Sequence, residues 1–328
     1  MNSRERVRRA VTFKDPDRTP VDLWYLPGVI LRHGNAFWDL LEKYPVDFVK
    51  PTGKNFTLSP RYEVGYWRDE WGALWHNEIR GIIGQVVERP LADYAALSSY
   101  EPPYKILEEI DHKEIDRYIQ ENRDRFLLGP GGNVFERMQW LRGTTALMID
   151  LMDDRSEVYE LRDMVADLFT QQVQVHLRHD YDGVVFADDW GAQQQLLINP
   201  ELWRHFFKPC YRRLFAKVKE SGKLVFFHSD GYILEIIDDL IEIGVDALNS
   251  QVWCMGVPEL GERFAGRICF WGELDRQWAL PNGKPQDIYR AAKVMKAYLE
   301  TDHGGLIGEG EAGPDVPLEN IEAMLTCW

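Results

Sequence analysis

The sequence predicts an α/β fold, a (β/α)8 TIM barrel, on three observations. Apolar runs of strand length recur near 21, 47, 126, 183, 223, 246, 268 and 305, eight in all. From the fourth onward, each run is followed by a helix-length stretch with helical periodicity, the pattern of right-handed parallel crossovers. Polar residues gather just after the runs, as they do where strands are buried on both faces. A doubly wound open sheet is the rival, but the glycine fingerprint it carries is missing.

The chain opens with a helix over 2–13, capped by Ser3 and striped by Val7, Ala10 and Val11. Val21 to Tyr25 is the first strand, broken by Leu26-Pro27-Gly28. A short helix over 37–44 leads to a second strand, Asp47 to Lys50. Periodicity fails from 51 to 103. Trp67, Trp71 and Trp75 stand four apart, as on a helix face, but Gly72, Gly81 and Gly84 favour a β-hairpin-like insertion. It reads either as a lid or as an excursion packed on the barrel.

A helix over 106–121 precedes the third strand, 126–128, which ends in Gly129-Pro130-Gly131-Gly132-Asn133. Such a turn can cradle a phosphate, but no Walker lysine or GxGxxG accompanies it. Helices over 134–142 and 146–152 follow, then one from Ser156 to about 179. Gly183 to Ala187 ends in Asp188-Asp189-Trp190-Gly191, and Asn199-Pro200 starts a helix to Glu220. Leu224 to Phe227 runs into His228-Ser229-Asp230-Gly231. Ile233, Ile236, Ile237, Leu240 and Ile241 then recur at helical spacing up to Gly244. Val245 to Leu248 leads to Asn249-Ser250-Gln251, Ile268 to Trp271 to Gly272-Glu273, and Gly305 to Gly308 to Glu309-Gly310-Glu311. Helices over 285–299 and 317–325 complete one domain, 1–328, without a linker or repeat.

Net charge is −15, from 38 basic and 53 acidic residues, which disfavours nucleic acid and anionic membranes as partners. No apolar run approaches the ~20 residues of a membrane span. The N-terminus lacks the apolar core of a signal peptide. Four cysteines without a CxxC pair point to a reducing cytoplasm. Nothing in the residues speaks to the oligomeric state.

In a barrel, the strand C-termini converge on one mouth. His228 follows a buried run immediately, so its ring should point into that mouth as a metal ligand or general acid/base. Asp188 and Asp189 are adjacent, so at most one points inward, and Asp188 is the one expected there. Glu273 completes the catalytic candidates. Trp24, Tyr25, Trp190, Asn249 and Gln251 are candidates for holding substrate. Asp230 is either a mouth residue or a helix cap. Cys254 reads as packing or as a thiolate ligand. His176 and His179 are three apart, but lie where a helix ends before a strand, away from the mouth.

The stretches Asp188-Asp189-Trp190-Gly191, His228-Ser229-Asp230-Gly231, Gly244-Val245-Asp246 with Asn249, Gly272-Glu273-Leu274-Asp275 and Val316-Pro317-Leu318-Glu319-Asn320-Ile321 resemble the uroporphyrinogen decarboxylase superfamily. So do Arg4-Glu5-Arg6 and Arg18-Thr19-Pro20-Val21. The resemblance implies a (β/α)8 barrel and one of two chemistries. The tetrapyrrole decarboxylases need no cofactor and carry an arginine-rich motif after the first strand. Here that place reads Trp24-Tyr25-Leu26-Pro27-Gly28, with no arginine until Arg32. The methyltransferases bind zinc through His-x-Cys and a later cysteine, and work with corrinoid proteins or other methyl carriers. Here His228 stands with Asp230 in place of the first cysteine and Glu309 in place of the last. His228, Asp230 and Glu309 are therefore the expected metal set, with Cys254 as a further ligand only if its loop folds back. The expectation is a methyltransferase acting on a small methylated or methoxylated substrate. The alternatives are a tetrapyrrole decarboxylase and a non-catalytic barrel that binds a tetrapyrrole or corrinoid.

Overall fold

The computed structural model describes residues 1–49 and 56–328. Its barrel strands are β1 (Trp24–Tyr25), β5 (Leu128–Pro130), β6 (Gly183–Ala187), β7 (Leu224–Ser229), β8 (Ala247–Ser250), β9 (Cys269–Glu273) and β10 (Leu306–Glu309). The insertion strands are β2 (Gly65–Arg68), β3 (Leu74–Asn77) and β4 (Gln85–Glu88), and β11 (Glu311–Ala312) pairs with β1. β5 to β10 form one parallel sheet in sequence order.

The ring closes through shorter contacts. Val21 bridges Gly308 in parallel, and Asp22 and Trp24 donate to the carbonyls of Gly308 and Gly310. On the other side Asp47 N donates to Val21 O at 2.8 Å, and Phe48 bridges Phe126. The segments at 21, 47 and 126 thus join β6–β10 in a closed (β/α)8 barrel, as predicted. Among the described residues the second strand is this bridge with its flanking bonds, Val49 N to Phe126 O at 3.1 Å and Phe126 N to Asp47 O at 3.0 Å. Lys50 lies outside the described residues, as does the start of the 51–103 excursion.

Two apolar cores follow from strand alternation. One face of each strand meets the surrounding helices. The other fills the barrel with Phe48, Phe126, Phe226, Trp271 and Ile307, joined by Val7 and Val11. Those two valines belong to the helix Ser3–Val11, which plugs the end where strands begin. Gly305 N donates to Ala10 O at 2.9 Å, and Arg4 and Arg8 both reach Asp182, just before β6. The cap of this helix is Asn2, whose side chain accepts from Glu5 N at 2.9 Å; Ser3, expected there, is already helical. Ser156 likewise opens its helix one residue after the cap position, which Arg155 takes.

The insertion is a three-stranded antiparallel sheet. Trp67 and Trp75 are cross-strand partners with stacked rings 5.4 Å apart, so their spacing of eight comes from a hairpin, not a helix. Asp69 anchors the sheet to the barrel. It accepts from Trp71 N, Ala73 N and Trp75 Nε1, and pairs with Arg137 Nη1 at 2.8 Å on the helix Val134–Arg142. Gly81 O accepts from Gly28 N at 2.9 Å, which ties the excursion to the loop after β1. In the glycine-rich turn at 129–133, Gly131 N donates to Val185 O at 2.8 Å and Gly132 O accepts from Ala187 N at 3.1 Å, which ties the turn to β6.

Candidate active site

The loops after β6 and β7 lie back to back. Gly191 N donates to Asp230 O at 3.0 Å, and Tyr232 N to Ala192 O at 2.8 Å. A Cβ on Gly191 would stand 2.3 Å from Tyr232 N. Gly231 has φ +77°, and a Cβ there would meet Gly191 O at 2.3 Å. Only glycine permits this approach, which sets Asp189 beside Asp230.

β6 and β7 pair with Ala187 opposite His228. Alternation then puts Val185, Ala187 and Asp189 on the interior face, with Phe226, His228 and Asp230 beside them. The expected orientation of the two aspartates is therefore reversed. Asp188 is fully buried on the helix side. Its carboxylate accepts from Phe135 N at 3.1 Å, Glu136 N at 2.8 Å and Tyr211 Oη at 2.6 Å. It caps the helix Val134–Arg142, whose own cap residue Asn133 makes no side-chain cap bond. Burial, joined by the nearby Glu136, raises its pKa well above the carboxylate range.

His228 is held on its far side. Asn249 Nδ2 donates to Trp271 O at 2.8 Å and to Glu309 Oε2 at 3.2 Å, which leaves Asn249 Oδ1 as an acceptor facing His228 Nδ1. The proton of a neutral ring accordingly sits on Nδ1, and the Nε2 lone pair faces the mouth. The Trp24 ring lies against the imidazole at 4.9 Å.

Nε2 points between two carboxylates, 3.5 Å from Asp189 Oδ1 and 3.6 Å from Asp230 Oδ1. Both separations are too long for good hydrogen bonds. They approach the edge of a tetrahedral zinc shell, about 3.3–3.4 Å for bonds of about 2.0–2.1 Å. Asp230 Oδ1 is buried and has no hydrogen-bond partner among the described residues. Asp189, His228 and Asp230 are the group, among the described residues, whose ligand atoms lie within 4.8 Å of one another. One nitrogen and two carboxylate oxygens suit a divalent ion such as zinc. Without one, burial works against a charge on His228, but Asp189 and Asp230 outweigh it and lift the histidine to about 9. A cation and a proton thus compete for the same lone pair.

Arg276, on the loop after β9, meets a carboxylate with each guanidinium nitrogen. Nη2 bonds Asp230 Oδ2, Nη1 bonds Glu311 Oε2, and Nε lies 3.2 Å from Glu273 Oε1. The last contact is an ion pair outside hydrogen-bond geometry, since neither Glu273 oxygen has a hydrogen-bond partner among the described residues. Burial pushes Glu273 up to about 8 despite Arg276. Glu136, in the first turn of the helix Val134–Arg142, is pushed to about 7 by burial and by Asp189. In both, burial favours the protonated form more than in an exposed carboxyl.

Residues 115–328 match the uroporphyrinogen decarboxylase (URO-D) family. The chain belongs to this family. The uroporphyrinogen decarboxylase of Magnetococcus marinus is 22% identical over 182 residues, 53% of this chain. That stretch is 49% of the relative, so the chain spans about half the length of the curated protein it matches. Among solved structures, a methyltransferase from Methanosarcina mazei superposes with a TM-score of 0.73 at 16% identity, over 100% of this chain and 98% of that one. At that identity the likeness speaks for the barrel alone.

Several expected site residues of this URO-D chain take other places. Glu309 is bonded to Asn249, and Asp189 stands where Glu309 was expected in the ligand set. Tyr25 faces the helix layer, its ring 5.1 Å from Phe37, because alternation sends it away from Trp24. Trp190 is fully buried and stacked on Phe135 at 3.9 Å. Gln251 Oε1 accepts from Gly231 N at 3.2 Å and so braces the β7 loop. Cys254 donates its thiol to Gln251 O at 3.1 Å, and burial raises its pKa, which disfavours a thiolate ligand. Trp24, His228, Asp230, Asn249 and Glu273 gather as expected. His176 and His179 lie at the other end: His179 bonds Asp116 and His112, and burial holds His176 down to about 4, neutral rather than charged against a helix dipole. Glu136 and Arg276 were missed. Arg276 had a signal, since a ring of strand-end acids needs a cation. No described helix is long and apolar enough to cross a membrane.

Proposed function

We propose that this URO-D chain is a methyltransferase that uses a divalent metal, most simply zinc, held by Asp189, His228 and Asp230. The substrate is a small methylated or methoxylated compound, and the acceptor is a corrinoid or another methyl carrier on a partner protein. One observation carries the reading: His228 Nε2 faces two carboxylate oxygens at 3.5 and 3.6 Å, near ligand spacing, and one of those oxygens is buried without a hydrogen-bond partner among the described residues.

A bound divalent ion supplies Lewis acidity, which lowers the barrier to releasing a methyl group from oxygen or sulfur. The chain's own residues do the rest. Asn249 keeps the His228 proton on Nδ1. Glu273, whose pKa burial raises despite Arg276, is the acid placed to exchange a proton with a leaving oxygen. Trp24 gives an apolar ring a wall to lie against. The test is metal analysis of the purified protein, then methyl transfer from methoxylated and methylated compounds to a free corrinoid. Metal-dependent transfer supports the reading; no metal and no transfer with any donor contradicts it.

The Magnetococcus relative favours a second reading, tetrapyrrole decarboxylation. Against it, Arg276 is already engaged by three carboxylates, and no arginine follows β1 before Arg32. An anionic tetrapyrrole would meet mainly acids among the described mouth residues. Uroporphyrinogen should show no turnover above background; robust decarboxylation would promote this reading.

A further inference from the structure

We infer that Arg276 is a positioning residue for the metal site, one that presents Asp230 to a divalent cation through a single oxygen. The inference rests on the metal reading proposed above.

Arg276 ties together three carboxylates that arrive from separate strand ends: Asp230 after β7, Glu273 on β9 and Glu311 on β11. At Asp230 the division is clear. Oδ2 is bonded to the guanidinium, whereas Oδ1 has no hydrogen-bond partner among the described residues and faces His228 Nε2 at 3.6 Å. A carboxylate's terminal torsion is soft, so an untethered Asp230 would turn freely or offer both oxygens. The fixed fork of a guanidinium removes that freedom, which a point-charge ammonium does less well. Partners of this kind orient metal ligands, and their loss weakens binding by about 10–100-fold.

Simple electrostatics predicts the opposite sign. A guanidinium beside a cation site repels the cation, so removing it should tighten binding. The direction of the effect therefore separates positioning from bare charge.

The experiment is a zinc titration of the full chain by chelator competition, with the visible spectrum of the cobalt(II)-loaded protein as a second readout. Arg276→Gln should bind zinc about 10–100-fold more weakly. Its cobalt spectrum should change shape, because the coordination of Asp230 changes. Arg276→Lys should lose less affinity, and serves if the glutamine variant fails to fold. Asp230→Asn combined with Arg276→Gln should be no weaker than Asp230→Asn alone, since both act through one ligand. Unchanged or tighter zinc binding in Arg276→Gln, or losses that multiply in the double variant, would overturn the role of Arg276. Failure of the unsubstituted protein to bind zinc or cobalt would instead remove the metal reading, and this inference with it.

Discussion

Asp189 Oδ1 stands 3.5 Å from His228 Nε2, while its neighbour Asp188 turns the other way and bonds two helix amides and a tyrosine. One residue of register separates a site group from a structural one. Asp188→Asn should lower stability by about 1–2 kcal/mol, through the weakened cap and the altered bond to Tyr211. It should leave metal content unchanged. Asp189→Asn should do the reverse, with near-normal denaturation and depleted metal. Chemical denaturation and metal analysis of the two variants check the pair.

His228→Ala should fold, since the side chain borders the mouth and retains 13% exposure. Activity should fall by about two orders of magnitude or more, the scale for losing an acid/base group or a ligand. Lost metal in the same variant assigns the ligand role; retained metal with lost activity assigns proton transfer. A full-length melt with unchanged activity would make the histidine incidental.

Asp69→Ala should release the insertion. It strips Arg137 of its closer carboxylate, at 2.8 Å, leaving Glu70 at 4.0 Å, and removes the acceptor for Trp75 Nε1. Breaking a buried pair from one side costs about 3–5 kcal/mol, because the remaining charge stays buried. Limited proteolysis should cut between about 60 and 90 in the variant and spare the parent there. Equal resistance would mean that the sheet is held by its aromatic contacts instead.

His176 gives a stability change with a definite sign. Burial, with His179 and His112 nearby, lowers it from about 6.5 to about 4. The unfolded chain takes up the proton first as pH falls. Stability from this group is therefore complete above about 6.5 and is lost progressively down to about 4, on the order of 3 kcal/mol across the window. His176→Leu should flatten that part of the stability–pH curve. An identical slope in the variant would assign the acid sensitivity elsewhere.

Much of the barrel was legible because buried parallel strands announce themselves: Val184 to Ala187 and Leu224 to Phe227 are apolar runs cut off by polar residues. The first two strands were legible in place but not in pairing, because closure there rests largely on the isolated bridges of Val21 and Phe48. His228 was legible from its position after such a run. Asp189 was not, since its direction depends on pairing register with β7 rather than on local sequence. Tyr25 and Trp190 misled for the same reason: a strand end exposes every second residue, and composition does not say which. Arg276 lies three residues beyond its strand and acts through side chains from two other strands, a relation that only the closed ring creates.

The most direct test is a crystal of the protein loaded with zinc, with anomalous differences measured on both sides of the zinc absorption edge. The account predicts a peak within about 2.0–2.2 Å of His228 Nε2, Asp189 Oδ1 and Asp230 Oδ1. It would be contradicted by the absence of a peak there, with the imidazole and the two carboxylates closed into direct hydrogen bonds.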